Sequence, residues 1–122
     1  MSWYLTIRSD AAYSRSAVTR DLIELLSDIR ELRQSGPASF EAASGTPWLS
    51  LVVATADPAG CYTIDGPPQP LVNLVELVCS TNEDATWYDA LASRIASALG
   101  WEAVEEHEGR RVWPPAAASD VG

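Results

Sequence analysis

Lysine is absent from this chain of 122 residues, and histidine occurs once, as His107. All eight basic residues are arginines, and seventeen acidic residues outweigh them, which gives a net charge of −9. Such a chain repels nucleic acid backbones and anionic membranes and attracts basic partners. We therefore expect neither nucleic acid nor membrane binding, while solubility alone is an equally good explanation of the charge.

Cysteine is scarce as well. Cys61 and Cys79 are too few for the disulfide framework of a secreted domain, and neither belongs to a C-x-x-C pair that would indicate zinc or thiol chemistry. No apolar run reaches the roughly 18 residues of a membrane-spanning helix, and residues 1–10 lack the pattern of a signal peptide. We therefore expect a cytoplasmic protein whose cysteines act as small apolar side chains.

The patterns of common catalytic and cofactor sites are also missing. The seven glycines are isolated, so no phosphate-binding loop is present. His107 lies at a predicted hairpin tip, where nothing in the sequence orients it as a base. Its acidic neighbours Glu105, Glu106 and Glu108 alternate between two faces of a strand and cannot converge on one metal ion. We predict no catalytic residue, no cofactor and no metal.

The chain does contain clear hydrophobic periodicity. Alternation of apolar residues predicts seven strands, at residues 3–8, 39–43, 48–56, 61–64, 71–79, 101–106 and 110–113. Helical spacing predicts one helix at 17–33, with Ser16 as its N-cap, and a second one capped by Thr81 and Asn82 and ended by Gly100.

This order of elements predicts the fold class. Two helices separated by a hairpin-rich middle favour an α+β two-layer sandwich, in which a mostly antiparallel sheet carries both helices on one face. One domain is expected to span residues 1–113, and residues 114–122 are expected to form a disordered tail.

The strand at 71–79 is apolar on both faces, which predicts a central position in the sheet. Glu76 interrupts one of these faces, where a carboxylate costs free energy unless it is paired or wetted. Either this face is partly exposed to solvent, or it receives a partner whose arginine or lysine Glu76 accepts. A general base at Glu76 would need a second acid or a nucleophile beside it, and none is evident in the sequence.

Five tryptophans and four tyrosines are present. Trp3, Trp87 and Trp101 fall on predicted apolar faces or element ends and are expected in the core. Aromatic side chains at a surface often anchor protein interfaces. Six others have a weaker claim to burial and are candidate anchors: Tyr4, Tyr13, Trp48, Tyr62, Tyr88 and Trp113.

Three segments resemble the small immunity proteins of bacterial polymorphic and interbacterial toxin systems. They are the aromatic first strand at 3–8, the segment 73–78, and the alanine-rich helix from Leu91 to Trp101 with its closing hairpin. The resemblance covers most of residues 1–113. It implies a cytoplasmic, acidic, non-enzymatic protein that occludes the active site of a cognate toxin, and a basic, nuclease-like toxin would fit the charge.

Charge and expected exposure together select the partner-binding candidates. Residues 61–122 carry three arginines against ten acidic residues, a net of −7, and this half would steer association while aromatic anchors slow dissociation. The candidates are Glu76, Tyr62, Asp65, Tyr88, Glu105, Glu106, Glu108 and Trp113. A small-molecule-sensing domain or a homo-oligomeric structural domain, including a homodimer, remains the alternative.

Overall fold

The computed structural model describes residues 2–59, 62, 69–106 and 109–114. The elements are β1 (Ser2–Arg8), β2 (Ala17–Val18), α1 (Thr19–Ser27), β3 (Leu32–Gly36), β4 (Ser39–Ala42), β5 (Leu49–Ala54), β6 (Leu71–Val72), β7 (Leu74–Ser80), α2 (Ala85–Leu99), β8 (Glu102–Glu105) and β9 (Arg111–Trp113). Seven strands form one antiparallel sheet in the order β3-β4-β5-β7-β1-β8-β9, and β2 pairs with β6 in a separate ribbon. The predicted α+β class and its mostly antiparallel sheet are confirmed.

Strand β7 occupies the centre of this sheet, between β5 and β1. All seven residues of β1 pair with β7, from Ser2 opposite Ser80 to Arg8 opposite Leu74. The central position predicted for the apolar strand is therefore confirmed. Its predicted continuity is wrong, because Asn73 separates β6 from β7. The Asn73 amide donates hydrogen bonds to the carbonyls of Ala56 and Tyr13.

The hydrophobic core lies between the sheet and the helices. Alternating residues of the central strands point to the same side as the buried faces of α1 and α2, so both helices cover one face of the sheet, as predicted. Each such buried side chain stabilises the fold by roughly 1.5–3 kcal/mol. Fully buried members of this core include Leu5, Ile7, Leu22, Leu26, Leu51, Val75, Leu77, Leu91 and Ile95.

Helix α1 is shorter than predicted, because tertiary hydrogen bonds compete for both of its ends. At the N-terminus, Val18 pairs with Leu71 in the β2–β6 ribbon, and the Thr19 amide donates to the Pro70 carbonyl at 3.0 Å. The predicted cap at Ser16 is therefore wrong. At the C-terminus, Leu32 pairs with Ala42 and starts β3. The apolar residues beyond Ser27 remain buried without being helical.

Helix α2 agrees better with its prediction. It ends at Gly100, whose φ of 72° is the left-handed conformation that glycine adopts without a steric penalty. Its cap is Asp84 and not Thr81 or Asn82, since the Asp84 carboxylate accepts the Thr86 amide at 2.9 Å. No helix in the described part of the chain is long and apolar enough to cross a membrane.

Two predicted segments fall mostly outside the described residues. In the strand expected at 61–64 only Tyr62 is described, and it is not in a strand. Of the tail expected at 114–122, only Pro114 is described. The closing hairpin is present as β8 and β9, which pair antiparallel with a register shift between Ala103 and Val104.

Candidate functional site

The sheet has a second side, directed away from the core between sheet and helices. We call this side the outer face, and neither α1 nor α2 covers it. Because side chains alternate along a strand, the register of the central strands assigns its members. They include Tyr4, Thr6, Arg8, Ser50, Val52, Ala54, Leu74, Glu76, Val78, Glu102 and Val104.

A hydroxyl lies between two carboxyl groups at the centre of the outer face. Thr6 pairs with Glu76 across β1 and β7, and Glu106 follows the end of β8. The Thr6 Oγ1 atom is 2.8 Å from Glu76 Oε1 and 2.9 Å from Glu106 Oε1. We call Glu76 and Glu106 the carboxyl pair.

The three groups are short of one hydrogen. A threonine hydroxyl has a single hydrogen to donate, and an ionised carboxylate has none. Thr6 can therefore satisfy one member of the carboxyl pair but not both, and the other contact requires a protonated carboxyl that donates to Oγ1. The geometry thus implies a bound proton at this position.

Electrostatics assign this proton mainly to Glu76. Burial raises the pKa of Glu76 to about 8, and the negative charge of Glu106 acts in the same direction, while the hydrogen bond from Thr6 opposes both. Glu76 is only 2% exposed, as is Thr6. At neutral pH the protonated form of Glu76 therefore predominates.

Tyr62 lies beside the carboxyl pair. Burial, followed by the charges of Glu76 and Glu106, raises the pKa of Tyr62 to about 12. Its phenol therefore stays protonated and retains a hydrogen to donate. The side chain is still 37% exposed, so it remains accessible to a partner.

The nearest cation on the outer face already has a partner. Arg8 Nε donates to Glu102 Oε2 at 2.8 Å, and the guanidinium carbon lies 5.4 Å from the centre of the Tyr13 ring. Both contacts are favourable for a guanidinium, one as an ion pair and the other as a cation–π interaction. Arg8 therefore does not supply the countercharge of the carboxyl pair.

A pocket of about 360 Å³ opens next to Thr6. This volume is at the lower end of the range of about 300–1,000 Å³ for ligand sites and suits one side chain or a small ligand. We call it the acidic pocket, and its lining residues are Thr6, Arg8, Tyr13, Val104, Glu105, Glu106 and Gly109. Its lining residues include the acid Glu106, the cation Arg8, the aromatic Tyr13 and the apolar Val104.

The fold therefore brings three of the predicted partner-binding residues together: Glu76, Glu106 and Tyr62. It also supplies a second acid beside Glu76, contrary to the expectation from the sequence. A general acid must contact its substrate, however, and Glu76 is buried and does not line the pocket. Glu106 is exposed and lies at the pocket, so direct contact with a ligand falls to Glu106 first.

Other candidates lie elsewhere. Tyr88 belongs to α2, and its side chain is fully buried between the helix and the sheet. Its predicted surface position is therefore wrong. It lies on the helical face that carries Leu91 and Ile95, and its hydroxyl donates to the Trp48 carbonyl. Glu105 is 7% exposed and pairs with Leu5, which directs it to the core side of the sheet.

The remaining candidates do not extend the site. Trp113 is half-buried and packs against the core. Asp65 and Glu108 lie outside the described residues, and so does His107. Cys79 is fully buried, as its apolar role requires, and burial raises the pKa of its thiol to about 12. Among the described residues, no group of three or more histidine, cysteine, aspartate or glutamate side chains could hold a metal ion.

Thr6 and Arg8 were not selected from the sequence, whereas Tyr13 was predicted there as a candidate aromatic anchor. Alternation in β1 placed Thr6 and Arg8 on one face with Tyr4, which was the only available signal. The approach of Glu106 depends on the pairing of β1 with β8, and these strands are almost a hundred residues apart in the chain.

The chain was compared with models of protein families, with curated proteins and with solved structures, and none of these comparisons found a match. The function is therefore inferred from the site itself.

Proposed function

We propose that this protein is a cytoplasmic immunity protein, which binds a cognate bacterial toxin through its outer face and occludes the toxin's active site. The observation that carries the proposal is the acidic pocket above the carboxyl pair, at the centre of the outer face. Tyr13 lines this pocket, and two further tyrosines are accessible to a partner, since Tyr4 is 40% and Tyr62 is 37% exposed. Exposed aromatic anchors around a charged centre are typical of protein interfaces.

The position of Glu76 supports a role beyond stability. It lies in the central strand of the sheet, where an apolar residue of similar size would avoid the cost of burying a carboxyl. Positions that lower stability without an evident structural gain are commonly retained for function. The carboxyl pair is such a position, because the Thr6 hydroxyl that contacts both acids has a single hydrogen to donate.

The charge distribution supports a basic partner. The net charge of −9 attracts a positively charged protein over a distance of about one Debye length, which speeds association. Nuclease-like toxins need basic surfaces to bind nucleic acid, so an acidic inhibitor complements them. Association through the outer face would place the acidic pocket against such a surface.

The experiment that tests this function is co-expression with the product of the adjacent upstream gene, read out as growth and as co-purification. We expect the neighbour to be toxic alone and harmless with this protein. Glu106→Arg reverses the charge at the acidic pocket and should weaken the complex at least tenfold. Glu24→Arg makes the same charge change on helix α1 and should leave binding and growth unchanged.

Two results would contradict the proposal in different ways. A harmless neighbour that does not co-purify excludes the immunity function. A toxic neighbour that is neutralised equally by the Glu106→Arg and Glu24→Arg variants keeps the immunity function but moves the interface away from the outer face.

A small-molecule-sensing domain is the second candidate, and the volume of the acidic pocket favours it. The pocket could hold a compound of amino-acid size, and its lining offers such a compound both the acid Glu106 and the cation Arg8. A sensor would bind such a compound at micromolar concentration, because its pocket would be complete without a second protein.

A further inference from the structure

We propose that the acidic pocket binds a small zwitterion, an ω-amino carboxylate whose carboxylate contacts Arg8 and whose ammonium contacts Glu106. This ligand class belongs to the second candidate function, a small-molecule sensor. It does not depend on the immunity function, because the pocket is built only from residues of this chain.

The two ends of the pocket carry opposite charges. Arg8 and Glu106 both line it, together with Thr6 and Val104. Arg8 lies opposite Glu102 across β1 and β8, whereas the carboxyl group of Glu106 contacts Thr6, two residues before Arg8 in β1. Side chains on one face of a strand repeat roughly every 7 Å, so the cation and the acid are separated by about this distance.

Arg8 keeps hydrogen-bond donors for a ligand. Its Nε atom donates to Glu102 at 2.8 Å, and its Nη1 atom donates to the Tyr13 hydroxyl at 3.4 Å. A guanidinium has five N–H donors, and these two contacts use two of them. The remaining N–H groups can donate to a carboxylate, which matches the planar guanidinium in shape and charge.

Glu106 offers the complementary group. Its side chain is exposed, and only its Oε1 atom takes part in the contact with Thr6, at 2.9 Å. Because the shared proton belongs mainly to Glu76, Glu106 is the member of the carboxyl pair that carries the negative charge. Its second oxygen can therefore accept a hydrogen bond from an ammonium group.

The aromatic wall of the pocket is fixed before a ligand arrives. Tyr13 has a φ of 56°, a left-handed conformation that is uncommon for a residue with a Cβ atom. The buried Asn73 side chain holds this turn, since its Nδ2 atom donates to the Tyr13 carbonyl at 3.2 Å. Backbone strain of this kind is concentrated at ligand sites, where it preorganises the binding groups. Here it holds an aromatic ring beside Arg8.

The separation of the charges selects the ligand class. An α-amino acid such as glycine has its ammonium and carboxylate on one carbon, so it is too short to reach both Arg8 and Glu106. A chain of methylene groups between the two charges can span the gap. The Tyr13 ring and the Val104 side chain offer apolar contacts to such a chain.

The test uses 6-aminohexanoate as the probe, with hexanoate and hexylamine as analogues that each carry one of its two charges. Binding to the intact protein is followed at pH 7 by nuclear magnetic resonance, through the methyl signals of Thr6 and Val104. We expect saturable binding of 6-aminohexanoate at millimolar concentration or below, as suits a ligand of so few atoms. Each analogue should bind about tenfold more weakly or worse, because it lacks one charge-assisted contact. Glycine should produce no saturable shift.

Three variants assign the charges to the two ends of the pocket. Glu106→Gln should weaken binding of 6-aminohexanoate about tenfold and leave hexanoate unchanged, whereas Arg8→Gln should weaken both and leave hexylamine unchanged. Glu24→Gln makes the same charge change as Glu106→Gln on α1 and should behave like the unchanged protein. Glu106 is exposed, so its variant keeps the test valid even if Arg8→Gln does not fold.

Several outcomes would overturn the inference: no saturable shift of the two methyl signals, equal binding of 6-aminohexanoate and either analogue, or equal binding by Glu106→Gln and Glu24→Gln. The two proposals fail separately. Binding of 6-aminohexanoate with a harmless neighbour retains the zwitterion site, whereas a neutralised toxin without such binding retains only the immunity function.

Discussion

The two faces of the same sheet differ in what they bury. The core face buries hydrocarbon against two helices, with Leu5, Leu51 and Leu77 fully inaccessible. The outer face buries a hydroxyl and a carboxyl at its centre, Thr6 and Glu76, next to a pocket. The outer face is less completely buried, since Tyr4 is 40% exposed, and burial of the Glu76 carboxyl at its centre is costly, whereas burial of hydrocarbon on the core face stabilises the fold. The core face therefore explains how the chain folds, and the outer face is the region whose structure calls for a function.

The sharpest difference between the faces should appear in the pH dependence of stability. The pKa of the Glu76 carboxyl rises from an ordinary 4.5 to about 8 on folding. Its favourable contribution is complete below pH 4.5 and is lost as the pH rises to about 8, a change on the order of 5 kcal/mol in the free energy of unfolding. Urea unfolding between pH 4 and 9 measures this loss of unfolding free energy.

Glu76→Gln should remove most of the decline in unfolding free energy with pH, whereas Glu24→Gln should leave that decline unchanged. If the unfolding free energy of Glu76→Gln falls with pH as steeply as that of the unchanged protein, the assignment of the proton to Glu76 is contradicted.

Truncation of apolar side chains should separate the faces almost as strongly. Leu77→Ala on the core face opens a cavity in a fully packed region and should cost about 2–5 kcal/mol of unfolding free energy. Val52→Ala on the half-exposed outer face should cost about 1 kcal/mol or less. Chemical denaturation measures both variants. If Leu77→Ala and Val52→Ala lose the same unfolding free energy, the outer face is packed as tightly as the core.

Removal of the central hydroxyl should have a smaller effect, confined to the outer face. Thr6→Val preserves the shape but leaves both carboxyl groups without their shared partner, at a cost of about 1–3 kcal/mol near pH 7. Thr6→Ser keeps the hydroxyl and serves as the control. Thermal unfolding of both variants at one pH provides the comparison. If Thr6→Val is as stable as Thr6→Ser, the hydroxyl has no structural role between the acids.

The smallest effect should come from a carboxyl at the edge of the same outer face. Glu41 pairs with Arg33 on the neighbouring edge strand, and its side chain is 43% exposed. Exposed ion pairs contribute roughly 0–1 kcal/mol, so Glu41→Gln should change the free energy of unfolding by less than about 0.5 kcal/mol. A large loss on this substitution would mean that position in the sheet does not distinguish the two carboxyls.

The fold was largely predictable because its signals are local. Alternation at 3–8 and 48–56, the helical spacing before Gly100, and the double apolar pattern around Leu77 each depend on neighbouring residues. The start of α1 was not predictable, because the hydrogen bond from Thr19 to Pro70 joins positions that only folding brings together. The same applies to the burial of Tyr88, which depends on the orientation of α2 over the sheet.

The candidate site was predictable only in part. Glu76 could be identified as exceptional because a charged residue interrupted an apolar strand. Glu106 was selected for its charge and expected exposure, and Thr6 was not selected, since neither residue has a local pattern that relates it to Glu76. Their contacts are formed by the pairing of β1 with both β7 and β8.

The sequence by itself determined that this is an acidic α+β domain with its most apolar strand at the centre of an antiparallel sheet, because hydrophobic periodicity and composition are properties of neighbouring residues and of their sum. Only the tertiary structure decided that two acids share one hydroxyl beside a pocket. This follows from strand register, which places residues 6, 76 and 106 within hydrogen-bonding distance although up to a hundred positions separate them.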